Sequence, residues 1–226
     1  MGHPNWYYKL YEQIFAWNIN YLDNLNKIDQ RVHIKNSVIK EIGSGTGNYI
    51  DSLLLFDPQK IIALDNDWAS IQILNKKYGE HKNINVIYCD GFKSNIVSNI
   101  TICFYCIIQQ TTDIATLCQR IKNLQDLSAL NQAAVFIEII DTEKHYPHDK
   151  IRIFERNTDY LDILSYKETY GVSICYDGII WGKKAFYIVP IHECPIDLFT
   201  CDKRLKKFEN IPLNSSGRKR MIYLQY

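Results

Sequence analysis

The sequence contains no run of the ~18 apolar residues that an α-helix needs to cross a membrane. Its start, Met1-Gly2-His3-Pro4-Asn5-Trp6, lacks the basic stretch, apolar segment and small-residue cleavage site of a signal peptide. Tyr7 stands where an N-myristoylation motif wants Ser or Thr. These absences predict a cytoplasmic protein that neither spans nor anchors to a membrane. Charge of either sign is not in excess: 26 Lys and Arg face 25 Asp and Glu, for a formal net charge of +1. That balance supplies no global attraction to nucleic acid or to an anionic surface. No second CxxC accompanies Cys103-Phe104-Tyr105-Cys106, so spacing does not assemble the seven cysteines into a zinc site. They read as small buried hydrophobes, and no metal is expected.

What is present is a chain of 226 residues, 46% of them hydrophobic, enough for one sizeable core. Tyr7, Leu10, Tyr11, Ile14, Tyr21, Leu22 and Leu25 recur at helical spacing, predicting one amphipathic helix or two short ones over 6–28. Apolar runs then alternate with helical patterns. Strands are predicted at 38–42, 61–64, 84–88, 100–108 and 133–140, and helices at 48–56, 68–78 and 114–127. Alternating βα units with apolar strands imply a parallel sheet covered on both faces, doubly wound, with ligands at the carboxyl ends of its strands.

Beyond 141 the pattern changes to aromatic and β-branched runs at 160–166, 172–176, 178–181 and 185–191. Asp177-Gly178 and Gly182-Lys183 read as turns between them. A short helix at 202–208 and a closing strand at 218–226 complete the chain. The expected organisation is a single domain over 1–226. It comprises a helical segment at 1–36, a ligand-binding core at 37–141, an antiparallel insertion at 142–192, and a closing helix and strand at 193–226.

The chemistry concentrates in the loop Glu41-Ile42-Gly43-Ser44-Gly45-Thr46-Gly47, between the first strand and the following helix. Glycines there let the backbone approach a ligand where a Cβ would clash. No Lys-Ser/Thr follows Gly47, which argues against a triphosphate loop, and Asn48 occupies the third glycine position of a dinucleotide fingerprint. Asp65 ends the second strand, where a carboxylate can accept hydrogen bonds from ribose hydroxyls. Asp67 reads as the cap of the next helix, and Cys89-Asp90-Gly91-Phe92 follows the third strand.

The acidic residue followed by GxGxG, with acids closing the second and third strands, resembles the motif set of class I S-adenosylmethionine-dependent methyltransferases. The resemblance runs through about residues 37–140 and more loosely to the end. It implies a Rossmann-like fold with S-adenosylmethionine as cofactor and S-adenosylhomocysteine as product. By resemblance, Glu41, Gly43, Ser44, Gly45, Thr46 and Gly47 would lie along the methionine part of the cofactor. Asp65 and Asn66 would meet its ribose, Asp90, Gly91 and Phe92 its adenine, and Tyr105 the region of the methyl. The family's Pro-Gly-Gly turn before the fifth strand is replaced by Leu127-Ser128-Ala129-Leu130-Asn131-Gln132.

No Asn/Asp-Pro-Pro-aromatic motif follows the fourth strand, where Tyr105-Cys106-Ile107-Ile108-Gln109-Gln110 stands instead. That disfavours methylation of a base's exocyclic amine. The outline is similar to the small-molecule branch of the family, which implies N- or O-methylation by in-line displacement, catalysed mainly by positioning. The lack of an obvious base favours nitrogen as the acceptor atom. Tyr105 and Gln109 are the candidate positioning residues. Tyr7, Tyr8, Tyr11, Gln109, His145 and Trp181 are the candidate acceptor contacts. The alternatives are an RNA or protein methyltransferase, supported by Arg218-Lys219-Arg220 and by Lys203-Arg204 with Lys206-Lys207, or a cofactor-binding partner module without turnover.

Overall fold

Short apolar strands with no solvent-facing alternation have to be covered on both sides, and the chain folds accordingly. The computed structural model describes residues 4–10, 20–105, 107–142, 150–213 and 219–226. Strands β1 (Val38–Ile42), β2 (Lys60–Asp65), β3 (Ile84–Tyr88), β4 (Ile100–Cys103) and β5 (Ala134–Ile140) are parallel. With β10 (Lys207–Pro212) and β11 (Lys219–Gln225) they form one seven-stranded sheet, in the order β10-β11-β5-β4-β1-β2-β3. β11 runs antiparallel to both of its neighbours. Sequence order reverses beside β1, so a crevice opens between the carboxyl ends of β1 and β4.

One face of this sheet packs α2 (Tyr21–Asp29), α3 (Asn48–Leu54) and α4 (Trp68–Tyr78), through Leu25, Ile28, Ile50, Leu53, Ile71 and Leu74. The other packs α5 (Ile114–Asn131) and α6 (Asp197–Thr200), through Leu117, Ile121, Leu124 and Phe199. Local signals fix the helix starts. Asp67 accepts from Ser70 N at 2.9 Å, and Asp113 accepts from Ala115 N and Thr116 N at 3.0 Å each.

A second sheet, β6 (Ile151–Arg156), β7 (Asp159–Glu168), β8 (Gly171–Ile180) and β9 (Lys183–His192), is an antiparallel meander inserted between β5 and α6. It packs with α1 (Asn5–Leu10) in a third apolar cluster that includes Leu10, Ile140, Leu161, Ile174 and Val189. The mixed α/β fold, the mostly parallel sheet and the antiparallel insertion agree with expectation. Among the described residues, no helix is long and apolar enough to cross a membrane, and no group of three His, Cys, Asp or Glu is placed to hold a metal.

Several boundaries differ, each for a local reason. The fourth strand stops at Cys103 rather than running to 108, because Tyr105 takes a left-handed φ of 58° and Ile107–Gln109 form a 3-10 turn. Asp177-Gly178 is no turn. β8 is continuous there, with Asp177 opposite Asp162 and Gly178 opposite Leu161. Gly178 is instead a close-approach position, since an added Cβ would sit 2.1 Å from the Tyr160 carbonyl oxygen.

The turn between β8 and β9 is Trp181-Gly182, with φ of 51° and 70°, as a two-residue hairpin of type I′ requires. Asp159 reinforces it by accepting from both of those amides, at 2.8 and 3.2 Å. β6 carries Arg152, Glu155 and Arg156 at the sheet edge and was not expected as a strand. Residues 202–208 are not a helix. Phe208 is drawn into β10 opposite Leu224, and the short helix lies earlier, as α6. α5 continues past 127 to Asn131 and stops where Gln132 turns left-handed at φ 53°.

Candidate functional site

The loop after β1 is held by backbone bonds before any ligand is considered. Gly43 N and Ser44 N both donate to Leu64 O, at 2.8 and 3.0 Å, and Gly47 N donates to Ser44 O at 2.9 Å. Gly43, Gly45 and Gly47 have φ of 72°, 54° and 87°, a region in which a side chain is strained. Their surroundings differ. A Cβ on Gly47 would meet Tyr78 Cε2 at 2.6 Å, whereas a Cβ on Gly45 has nothing within 4 Å. Gly47 is therefore needed for packing against α4, and Gly45 opens onto free space.

That space is a cavity of about 720 Å³ at the carboxyl ends of the strands. Asp65 lies across its edge, with Oδ2 accepting from Gly45 N and Oδ1 from Asp67 N, both at 2.8 Å. Burial pushes the Asp65 carboxyl up from its ordinary value. Asp90 Oδ1 accepts from Phe92 N at 3.1 Å, which orders the turn that brings Gly91 and Phe92 to the wall. The Arg120 guanidinium lies 5.1 Å from the Phe92 ring centre and donates to the carbonyls of Ile107, Ile108 and Gln110 at 3.1–3.2 Å. It thereby ties the turn after β4 to the Phe92 wall.

Of the residues singled out in the sequence, Gly43, Ser44, Gly45, Thr46, Asp65, Asn66, Asp90, Gly91, Phe92, Tyr105, Tyr7 and Tyr8 all line this one cavity. Tyr105 donates to Tyr21 Oη at 2.6 Å. Tyr8 donates to Asp67 Oδ2, and the Tyr7 ring meets Tyr176 and Tyr187 edge-on at 5.6 and 5.4 Å.

Four others do not line it. Glu41 sits behind the loop, 3% exposed, with Oε2 lacking a hydrogen-bond partner among the described residues, and burial pushes its carboxyl up from 4.5 to about 8. Gly47 faces α4. Gln109 is fully buried as a clip: Oε1 accepts from Ile140 N at 2.7 Å, and Nε2 donates to Ile140 O and His192 O at 3.0 and 2.9 Å. Its role as an acceptor contact is corrected, because every polar atom of its amide is already spent on backbone. Trp181 is 56% exposed at the hairpin tip beneath Lys9, away from the cavity. Tyr11, His145 and Cys106 lie outside the described residues.

The cavity also has lining that sequence reasoning missed: Asn48, Arg120, Glu138, Ser165, Tyr176, Tyr187 and Lys219. Glu138 is 2% exposed on β5, with Oε1 3.3 Å from Lys219 Nζ on β11. A charged residue inside an apolar strand was the available signal, but its partner is far along the chain.

No family model matches the chain. In sequence it is 31% identical over 78 residues to ribosomal RNA small subunit methyltransferase A of Sulfurihydrogenibium sp. (strain YO3AOP1), covering 34% of this chain and 30% of that protein. In structure it matches an S-adenosylmethionine-dependent methyltransferase from Clostridium acetobutylicum ATCC 824 with a TM-score of 0.77 and 11% identity, over 98% of each chain. A SAM-bound amino pentose methyltransferase from Micromonospora echinaspora matches at 0.72 and 10% identity, over 99% of this chain and 100% of that one. A sugar N-methyltransferase from Streptoalloteichus sp. ATCC 53650 matches at 0.72 and 12% identity, over 100% and 93% respectively. The fold is that of Rossmann-like methyltransferases.

Proposed function

We propose that this chain is an S-adenosylmethionine-dependent methyltransferase acting on a small-molecule acceptor, with nitrogen the favoured atom. The observation that carries the reading is one continuous cavity. It joins the glycine loop, Asp65 and Asp90 at one end to Tyr105, Glu138 and the insertion sheet at the other. On this reading the cofactor takes the first end and the acceptor the second.

The residues present fit the cofactor. Gly45 leaves backbone exposed to open space, and Asp65 is fixed by two amides while its oxygens retain lone pairs for ribose hydroxyls. Glu41 Oε2 behind the loop, without a hydrogen-bond partner among the described residues, suits an ammonium group on the other side of it. Asp90 and Phe92 offer an acceptor and an apolar face to adenine. When bound, the cofactor supplies the electrophilic methyl. The protein's part is then to exclude water and align the acceptor, which ring-lined walls from Tyr7, Tyr176 and Tyr187 support. On this reading the whole chain is one methyltransferase domain, and residues 142–192 form its acceptor-side insertion.

Small-molecule chemistry is favoured over RNA because four of the described basic residues that argued for RNA are paired with carboxylates, while Lys203 and Lys206 are exposed. Lys219 pairs with Glu138, Arg220 with Asp141 at 3.0 Å, Arg204 with Asp126 at 2.7 Å and Lys207 with Glu209 at 2.8 Å. Arg218 lies outside the described residues.

Calorimetric titration with S-adenosylhomocysteine is expected to show binding that Asp65→Ala abolishes and Gly45→Val weakens at least tenfold, or ~1.4 kcal/mol. Normal binding by both variants sinks the site assignment. Labelled methyl from the cofactor should enter amines in a metabolite fraction rather than RNA or protein. Binding without label in any fraction would instead point to a module without turnover.

A further inference from the structure

The insertion sheet presents its cavity face in rows set by strand register. Ile163, Tyr176 and Tyr187 lie side by side across β7, β8 and β9, and Ser165, Ile174 and Val189 form the next row. All six line the cavity. The pattern calls for an aliphatic residue at 165, and a serine stands there. Its Oγ is buried and has no hydrogen-bond partner among the described residues. Burying a hydroxyl without a partner is costly, so a group that meets it when a ligand is bound is the natural account of its presence.

A second polar point lies on the other sheet. Glu138 lines the same cavity from β5, beside Lys219 of β11, and is 2% exposed. The cofactor assignment uses neither residue: it rests on the glycine loop, Glu41, Asp65, Asp90 and Phe92.

We propose that Glu138 and Ser165 are the specificity-determining contacts for the acceptor. Glu138 receives an amine hydrogen, and Ser165 hydrogen-bonds an oxygen of the same molecule across a chamber otherwise walled by tyrosine and aliphatic side chains. The acceptor is therefore a small molecule bearing both an amine and a hydroxyl or ether oxygen. This rests on the methyltransferase reading above, since it takes the rest of the cavity to be filled by the cofactor. Lys219 Nζ lies 3.3 Å from Glu138 Oε1, so the amine meets a carboxylate that already has a cation beside it. A neutral alcohol in the same place gains less from that carboxylate than an amine does.

The test uses the full chain saturated with S-adenosylhomocysteine, titrated calorimetrically with D-glucosamine, D-glucose and cyclohexylamine as probes. D-glucosamine should bind at least tenfold more tightly than D-glucose, and Glu138→Gln should erase that preference while leaving S-adenosylhomocysteine affinity intact. Ser165→Ala should weaken D-glucosamine and leave cyclohexylamine unchanged. The melting temperature of ligand-free Ser165→Ala should not fall, because no internal bond is lost. Equal binding of amine and alcohol, no binding of any probe, or a preference that survives Glu138→Gln overturns the assignment of Glu138. A fall in the stability of Ser165→Ala with unchanged probe binding makes Ser165 merely structural. If S-adenosylhomocysteine itself does not bind, the underlying functional reading fails instead.

Discussion

Glu41 shows how one buried side chain can report on a ligand. Burial raises its carboxyl from 4.5 to about 8, so folding takes up a proton between those values. Stability from this group is complete below about pH 4.5 and is lost as pH rises through 8. Ligand-free protein should therefore lose melting temperature over that window, relative to Glu41→Gln, whose side chain does not titrate. If a cofactor ammonium settles near Glu41, the carboxylate ionises and binding at pH 7 releases close to one proton. Titrations in buffers of different ionisation enthalpy measure that release directly, and zero release would separate Glu41 from the ligand. The glycines divide in the same spirit. Gly47→Ala drives a Cβ into Tyr78, so it should cost ~2–3 kcal/mol of stability in chemical denaturation. Gly45→Ala meets nothing and should cost about 1 kcal/mol from its left-handed backbone, while obstructing the ligand.

Among the elements, β2 is legible because burial on both faces writes itself as the uninterrupted apolar run Ile61–Leu64, and α4 because Asp67 and the spacing of Ile71, Leu74 and Tyr78 mark it. The same rule misled at 104–108, since a buried 3-10 turn is as apolar as a strand and only the backbone of Tyr105 separates them. Asp177-Gly178 carries the composition of a turn for a different reason, the close passage of the β7 backbone. Gln109 follows β4 near the cavity in the chain, but its side chain turns inward onto backbone. Whether an amide faces ligand or backbone depends on partners such as His192, which local sequence does not reveal. Its clip joins the end of β5 to the end of β9, so Gln109→Ala should strand the Ile140 amide and two carbonyls. The expected cost is ~2–4 kcal/mol, with faster hydrogen exchange at Ile140 and little change at β1 or β2. A uniform rise in exchange across both sheets would show that the two unfold as one unit.

Across the molecule, the seven-stranded sheet and the insertion sheet have separate apolar clusters, and α1 connects them. Tyr8 reaches Asp67, which caps α4 beside the glycine loop, while Tyr7 rests on Tyr176 and Tyr187 of the insertion. The two halves of the cavity thus share one wall, made from the first helix of the chain. Aromatic residues at helical spacing predicted a helix there, but not that adjacent tyrosines would serve different sheets. Tyr7→Ala removes the edge-on ring contacts to Tyr176 and Tyr187 of the insertion, ~1–3 kcal/mol together, along with those to Trp6 and Tyr8 within α1. The glycine loop, Asp65 and Asp90 are untouched by that change, so affinity for S-adenosylhomocysteine should stay within about threefold, or ~0.65 kcal/mol. Affinity for an amine acceptor should fall by about tenfold or more as the chamber loses a wall. Calorimetry on the same preparation gives both numbers. Equal losses would place α1 with the cofactor site, and a loss confined to the acceptor would establish that the insertion and α1 together form a chamber distinct from the glycine loop.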